Sequence, residues 1–389
     1  MAASTPPKDF GFGEDEQLLR DLARRFLDEN LPAPRLRALV AADPAAAYER
    51  GERPGWDEGL WKQICELGWT GLAVPEAAGG IGGKMVGITA LAEEVGRHAL
   101  PSPLVATLCA TFALRAARTP AAGAWLARIA DGAAAALAIT DARGSWDPSD
   151  CDMSARPQGG DLVLSGAAYF LQDAFKADVL VVSARRDGAG VLCAVPWDAA
   201  GVSLAQDHIH DLTRDQATVR FDGVRVERDN VVSDDGAAAL RGAWPAILVT
   251  VAADLCGTSE WQLQTTVEYA KQRKQFDRPL GFFQAVKHPL VNAMIEIDRA
   301  RSLLYHAACC IDAEAVEAET AARMAKSAAS DAGAFMSDRS VQLHGGIGFT
   351  WESDVHIYFK RSLHNQMLYG DGAYQRRALA ERLIGPIGS

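Results

Sequence analysis

The spacing of apolar side chains changes period twice along this chain, and that change limits the fold more than any other feature. From about residue 14 to 135 the apolar positions follow a helical repeat. Leu18, Leu19, Leu22 and Phe26 recur at helical spacing, with Arg20, Asp21, Arg24 and Asp28 between them. Asn30-Leu31-Pro32 ends that helix, because proline lacks the N–H a helix interior needs. A second helix is expected over 57–67, stopping at Gly68, and the glycine-rich run 69–83 with Pro75 reads as turn and loop. From about 136 to 235 the period falls to two. Short β-branched or apolar runs at 136–140, 162–165, 179–183, 191–195 and 218–221 are separated by Gly, Asp and Pro clusters, the pattern of a small antiparallel sandwich or barrel. From 236 onward the helical repeat returns, with Leu290, Met294, Ile297, Arg301 and Leu304 in one segment and breaks at 279–281 and 344–346.

Helices, then strands, then helices is the order of an α+β fold and not of alternating βαβ units. The expected division is an N-terminal helical domain over 1–135, an antiparallel β-domain over 136–235 and a C-terminal helical bundle over 236–389. No G-x-G-x-x-G follows a strand, so a Rossmann site has no support. The formal net charge of −11 argues against a phosphate backbone as main partner, which needs a basic face. Seven scattered cysteines with no C-x-x-C pair suit a reducing compartment, and the adjacent Cys309 and Cys310 are poorly placed to bridge each other. The first residues carry no basic segment followed by an apolar run, and no stretch approaches the roughly 20 apolar residues of a membrane span. The expected setting is the cytoplasm.

Three segments carry chemistry. Tyr269-Ala-Lys-Gln-Arg273-Lys-Gln-Phe276-Asp-Arg-Pro279-Leu-Gly-Phe-Phe-Gln284 resembles the acyl-CoA dehydrogenase pattern Y-x-x-x-R-x-x-F-G-x-P-I-x-x-F-Q. Further on, Gln342-Leu-His-Gly345-Gly346-Ile-Gly348 resembles that family's Q-x-x-G-G-x-G motif. Upstream, Leu60-Trp61 through Leu72-Ala-Val-Pro75-Glu76 and Gly79-Gly80 resembles its N-terminal P-E-x-x-G-G stretch. The resemblance covers most of the chain in the right order. It implies a helical domain, a β-domain and a C-terminal four-helix bundle, assembled as a tetramer around FAD sites shared between subunits.

In such an enzyme the flavin accepts a hydride from Cβ of an acyl-CoA thioester while a protein base removes a proton from Cα, and an electron-transfer flavoprotein reoxidises it. The resemblance assigns Arg273, Phe276, Gln284, Gln342, Gly345 and Gly346 to the far end of a flavin. A guanidinium makes charge-assisted bonds to a diphosphate, and glycines let backbone approach closely. Taken singly, the same residues also suit a surface arginine, a packed aromatic and a helix C-cap. His344 has no ligand partners at metal-binding spacing and reads as packing near the turn. Asp354 and His356 read as polar surface residues.

The chain departs from the family pattern where the reaction itself would occur. The usual catalytic Glu has Gly370 in its place, after Tyr369, and the alternative base position upstream of the motif arginine holds Ile247. Asp371 is the nearby carboxylate, a candidate base one residue displaced, and equally an Asp shaping a turn. The family's T-E-P-x-x-G-S-D flavin loop survives only as Thr140-Asp-Ala-Arg-Gly144-Ser145. Its G-x-K-x-W-I-T stretch reads Gly166-Ala-Ala-Tyr-Phe170-Leu-Gln172. The half that donates to a neighbour's cofactor is kept and much of the receiving half is lost. That pattern is similar to the incomplete subunit of the heterotetrameric branch associated with steroid side-chain degradation. Three readings follow: a subunit completing a dissimilar partner's FAD site, a self-associating homotetramer using Asp371, or a scaffold or flavin-dependent oxygenase on the same fold.

Overall fold

The computed structural model describes residues 10–41 and 56–385; the N-terminal stretch 1–9, where the absence of a leader was expected, lies outside them. Among the described residues six helices come first: α1 (Glu14–Asn30), α2 (Ala33–Val40), α3 (Glu58–Glu66), α4 (Met85–Arg97), α5 (Leu104–Ala117) and α6 (Pro120–Ala130). Their starts have local causes. Glu14, Asp15 and Glu16 occupy the positive end of α1, and the Asp57 and Thr119 side chains accept from the N–H groups of Leu60 and Ala122. Ala23 and Leu27 are the buried residues of α1, whereas Leu18 and Leu22 face solvent.

The middle region is one eight-stranded sheet: β1 (Ala135–Ala138), β2 (Ser154–Gln158), β3 (Asp161–Gln172), β4 (Val179–Arg186), β5 (Ala189–Pro196), β6 (Val202–Gln206), β7 (Gln216–Val226) and β8 (Val231–Ser233). The strand order is β6-β7-β3-β2-β4-β5-β8, with β1 beside β4. The antiparallel expectation needs one correction, since β1–β4 and β2–β4 are parallel pairs. The reason lies in connectivity: the 139–153 segment that leads from β1 to β2 is long enough for both strands to run in the direction of β4. Alternate residues such as Leu164, Ala168, Val182, Cys193 and Val219 fill a second core beneath the sheet.

The chain then returns to helix: α7 (Gly236–Gln272), a hairpin of β9 (Lys274–Gln275) and β10 (Arg278–Pro279), and α8 (Gln284–Asp312), α9 (Ala318–His344), α10 (Val355–Met367) and α11 (Gly372–Ile384). Leu290, Ile297 and Leu304 of α8 are buried seven residues apart, as the helical repeat requires. The expectation that no stretch is apolar enough to span a membrane is corrected by α7. It is long and apolar enough by length and composition, but 72% of its apolar window is buried among the surrounding helices. It crosses α4 at backbone contact. A Cβ on Gly257 would stand 1.8 Å from the Glu93 carbonyl oxygen, and one on Gly96 would stand 2.0 Å from that of Asp254.

A buried ion cluster ties the β-domain to the C-terminal helices. Asp254, in the middle of α7, accepts from Arg361 of α10 (2.9 and 2.6 Å), from Arg214 before β7 (2.7 Å) and from Asn365 (2.8 Å), all fully buried. Burial alone would raise the Asp254 pKa, but the two guanidinium charges overcome it and hold the carboxylate ionised. Arg214 also meets Asp173 at 3.4 Å, and Lys176 bridges Asp173 and Asp215 at 2.7 and 3.1 Å. The surface reading of Asp354 and His356 is likewise corrected. Asp354 pairs with Arg37 from α2 and His356 is buried against Trp351. Asp354 gains its partner from far along the chain, which local spacing does not reveal.

Candidate functional site

Arg273 stands where α7 ends. Its N–H donates to Tyr269 O (2.8 Å) and its carbonyl accepts from Leu280 N–H (2.8 Å), which closes the small β9–β10 hairpin. The hairpin tip, Phe276 and Asp277, has φ of 54° and 56°, a two-residue turn in which both residues are left-handed. The turn holds the Phe276 ring outward, 86% exposed. Gln284 opens α8 and is exposed, as are Gln342 near the end of α9 and Gly345 and Gly346 beyond it. Neither glycine would meet anything within 4 Å through an added Cβ.

The two motifs meet through one ring pair. Tyr269 stacks on His344 at 4.3 Å, and its hydroxyl donates to His344 O at 3.5 Å. The packing role expected for His344 takes this form, with Nδ1 also 2.7 Å from Ser340 O; burial pushes its pKa below the usual histidine value. A cavity of about 550 Å³ opens beside the pair, lined among others by Tyr269, Gln272, His344, Ile347, Arg97 and Glu352. Among the described residues no group of three His, Cys, Asp or Glu side chains is placed to hold a metal ion.

The β-domain side is turned inward. In the loop after β1, Asp141 is buried and its carboxylate accepts from the N–H groups of Arg143 (3.1 Å) and Ser145 (2.9 Å) and from Arg143 Nε (2.8 Å). Ala142 N–H donates to Asp152 (2.7 Å), and Gly144 N–H to the Asp141 carbonyl (3.0 Å). The backbone donors of residues 142–145 are therefore all satisfied by the chain itself. Gln172, at the end of β3, donates to Phe170 O (3.0 Å) and Gln216 Oε1 (2.9 Å) and accepts from His364 Nε2 (2.6 Å). Phe170 sits at φ 59° beside a register shift in β3 and is 37% exposed.

At the position of the expected base, Gly370 lies between Tyr369, buried against Trp146 and Trp244, and Asp371. The Asp371 carboxylate accepts from Tyr374 N–H at 2.7 Å and caps α11. Ile247 is fully buried in α7. Sequence reasoning singles out neither Trp146, Trp244 and Tyr374 nor the carboxylate of Asp152. Isolated aromatics and loop aspartates carry no periodic signal, and only the Gly-Asp-Gly run at 370–372 marks a tight turn there.

Comparison with known proteins agrees with this architecture. Residues 13–133 match the family described as acyl-CoA dehydrogenase, N-terminal domain, and residues 248–384 match acyl-CoA dehydrogenase, C-terminal domain. The chain is 32% identical to acyl-CoA dehydrogenase IpdE2 of Mycobacterium tuberculosis over 92% of each protein. Among solved structures, it is similar to a variant of the Tcur3481-Tcur3483 steroid ACAD (30% identity, TM-score 0.84, covering 96% of this chain and 98% of that one). It is also similar to the ChsE4-ChsE5 complex from Mycobacterium tuberculosis (25% identity, TM-score 0.86, covering 98% and 100%). With both family domains in order around an intervening sheet, and a relative of this likeness along almost its whole length, the chain belongs to the acyl-CoA dehydrogenase family.

Proposed function

We propose that this chain is the flavin-completing subunit of a heteromeric acyl-CoA dehydrogenase, lending residues to an FAD held mainly by a dissimilar partner. The observation that carries this reading is an asymmetry. Arg273, Phe276, Gln284, Gln342, Gly345 and Gly346 all face solvent, while the backbone donors of the 142–145 loop are consumed by Asp141 and Asp152. The exposed set suits the diphosphate and nucleoside end of FAD. Arg273 offers charge-assisted donors, Gln342 and Gln284 offer amides, the 345–346 backbone is open to close approach, and the Phe276 ring supplies an apolar cover. The inward set does not suit a cofactor: a diphosphate there would meet carboxylates in place of free N–H groups.

When bound, FAD supplies the hydride acceptor for α,β-dehydrogenation of an acyl-CoA thioester. This chain's own part is binding and orientation. Asp371 is not assigned the base, because its carboxylate is spent on the α11 N-terminus. Likeness to a steroid ACAD supports a bulky, steroid-type acyl group as substrate, and an electron-transfer flavoprotein suits the family's chemistry as acceptor.

Flavin absorbance tests the reading. The chain purified alone is expected to be colourless, and to retain flavin only when co-expressed with a complete acyl-CoA dehydrogenase subunit. Stoichiometric flavin in the lone chain, bleached by an acyl-CoA, would overturn it. In the assembled complex Arg273→Ala is expected to weaken flavin retention about tenfold or more, the scale of one lost charge-assisted bond. Unchanged retention removes Arg273 from the site.

A further inference from the structure

We propose that Tyr374 acts as a steric plug over this chain's own base position, so that the position is filled as well as unarmed. The inference rests on the reading that residue 370 occupies the place of the family's carboxylate.

Gly370 has φ +93°, and a Cβ built on it would stand 2.2 Å from Cδ1, 2.7 Å from Cγ and 2.9 Å from Cε1 of Tyr374. These distances are far inside van der Waals contact, and Cγ lies at the root of the ring, where little flexibility relieves a clash. The backbone has nowhere to retreat. Gly370 N–H donates to Met367 O (3.1 Å), and its carbonyl accepts from the buried Lys326 Nζ (3.0 Å) and from Gln375 Nε2 (3.3 Å). Lys326 is itself fixed by Gln366 O and Ser330 Oγ, each at 2.9 Å. The backbone that carries the ring is fixed as well, because the Asp371 cap on Tyr374 N–H sets the first turn of α11. Next door, Tyr369 is closed edge-to-face by Trp146 at 5.2 Å and Trp244 at 5.5 Å. Any side chain at 370 must therefore displace the Tyr374 ring.

A double-mutant cycle on the thermal unfolding midpoint separates this from simple left-handed strain at 370. Gly370→Ala is expected to lower the midpoint by several degrees. Placed in the Tyr374→Ala background, the same change is expected to cost at most about half as much, since residues in contact couple. Losses that add would overturn the plug and leave only backbone strain at 370. If Gly370→Ala gives no soluble protein, recovery in the double variant supports the plug and failure in both overturns it. The cycle reads stability in the lone chain, so its outcome is independent of flavin content, which decides the preceding reading.

Discussion

His364 shows how a single side chain links the altered β-domain to stability. It is enclosed between α10 and the end of β3, and burial drives its pKa down to about 4, with Asp211 and Asp173 only partly opposing. Its Nε2 lies 2.6 Å from Gln172 Oε1, so the neutral ring donates there. A histidine whose pKa is lower folded than unfolded gives its full stabilisation above about pH 6.5 and loses it as pH falls towards 4, where the unfolded chain binds the proton first. The expected loss is on the order of 2–3 kcal/mol over that window. Thermal midpoints measured from pH 7 to 4 should fall steeply in the native chain and less steeply in His364→Asn. His356, also lowered to about 4 by burial, and His344, lowered by burial as well, add to the slope. In the sequence Gln172 is visible as a departure from the family's Thr, but nothing there shows that His364 answers it from 192 residues away. For the same reason Asp354 and His356 read as surface residues in the sequence: what buries them arrives from elsewhere in the fold.

At the scale of elements the sequence is more legible. α1, α3 and the long helices of the last region follow from their apolar repeat, and β1, β3, β4, β5 and β7 follow from their β-branched or apolar runs. Several elements that escape are short or carry little buried surface. β6 has no buried residue, β2 has one and contains Pro157, β8 has three residues, and α2 is a single short helix behind a proline. The crossing of α4 and α7 escapes for a different reason, since a glycine inside a helix reads as a weakness until its neighbour is known. Here Gly257 and Gly96 allow backbone-to-backbone approach, and the Glu93 carbonyl stands 1.8 Å from where a Cβ would sit on Gly257. Gly257→Ala should therefore destabilise the chain by about 3 kcal/mol or more, despite the better helix propensity of alanine. A urea midpoint no lower than the native one would disprove the tight crossing.

Across the whole molecule, the α+β order is legible from two changes of period, and the family from the resemblance of the segments around Arg273 and Gly345 to its pattern. What joins the parts is not. Asp254 binds α7 to α10 and to the β-domain through Arg361 and Arg214, an arrangement that exists only once the sheet is packed on the last helices. Asp254→Asn removes the charge between two buried guanidiniums and should cost about 3–5 kcal/mol. Calorimetry checks it: a lowered and broadened transition is expected, as the β-domain and the helices lose their common tie.

The position of that tie along α7 has a mechanical consequence. At 1.5 Å per residue the helix is about 55 Å long, and Asp254 falls at its midpoint, beside the Gly257 crossing. α7 is thus a beam clamped at midspan, with one arm running back to the sheet and the other carrying Arg273 at its tip. Each arm is about 27 Å long, so a tilt of about one degree at the clamp moves the Arg273 end by only about 0.5 Å. On the proposed reading, in which Arg273 serves a partner's cofactor, that aim is held by the clamp in the middle of the beam together with the Tyr269–His344 stack near its end.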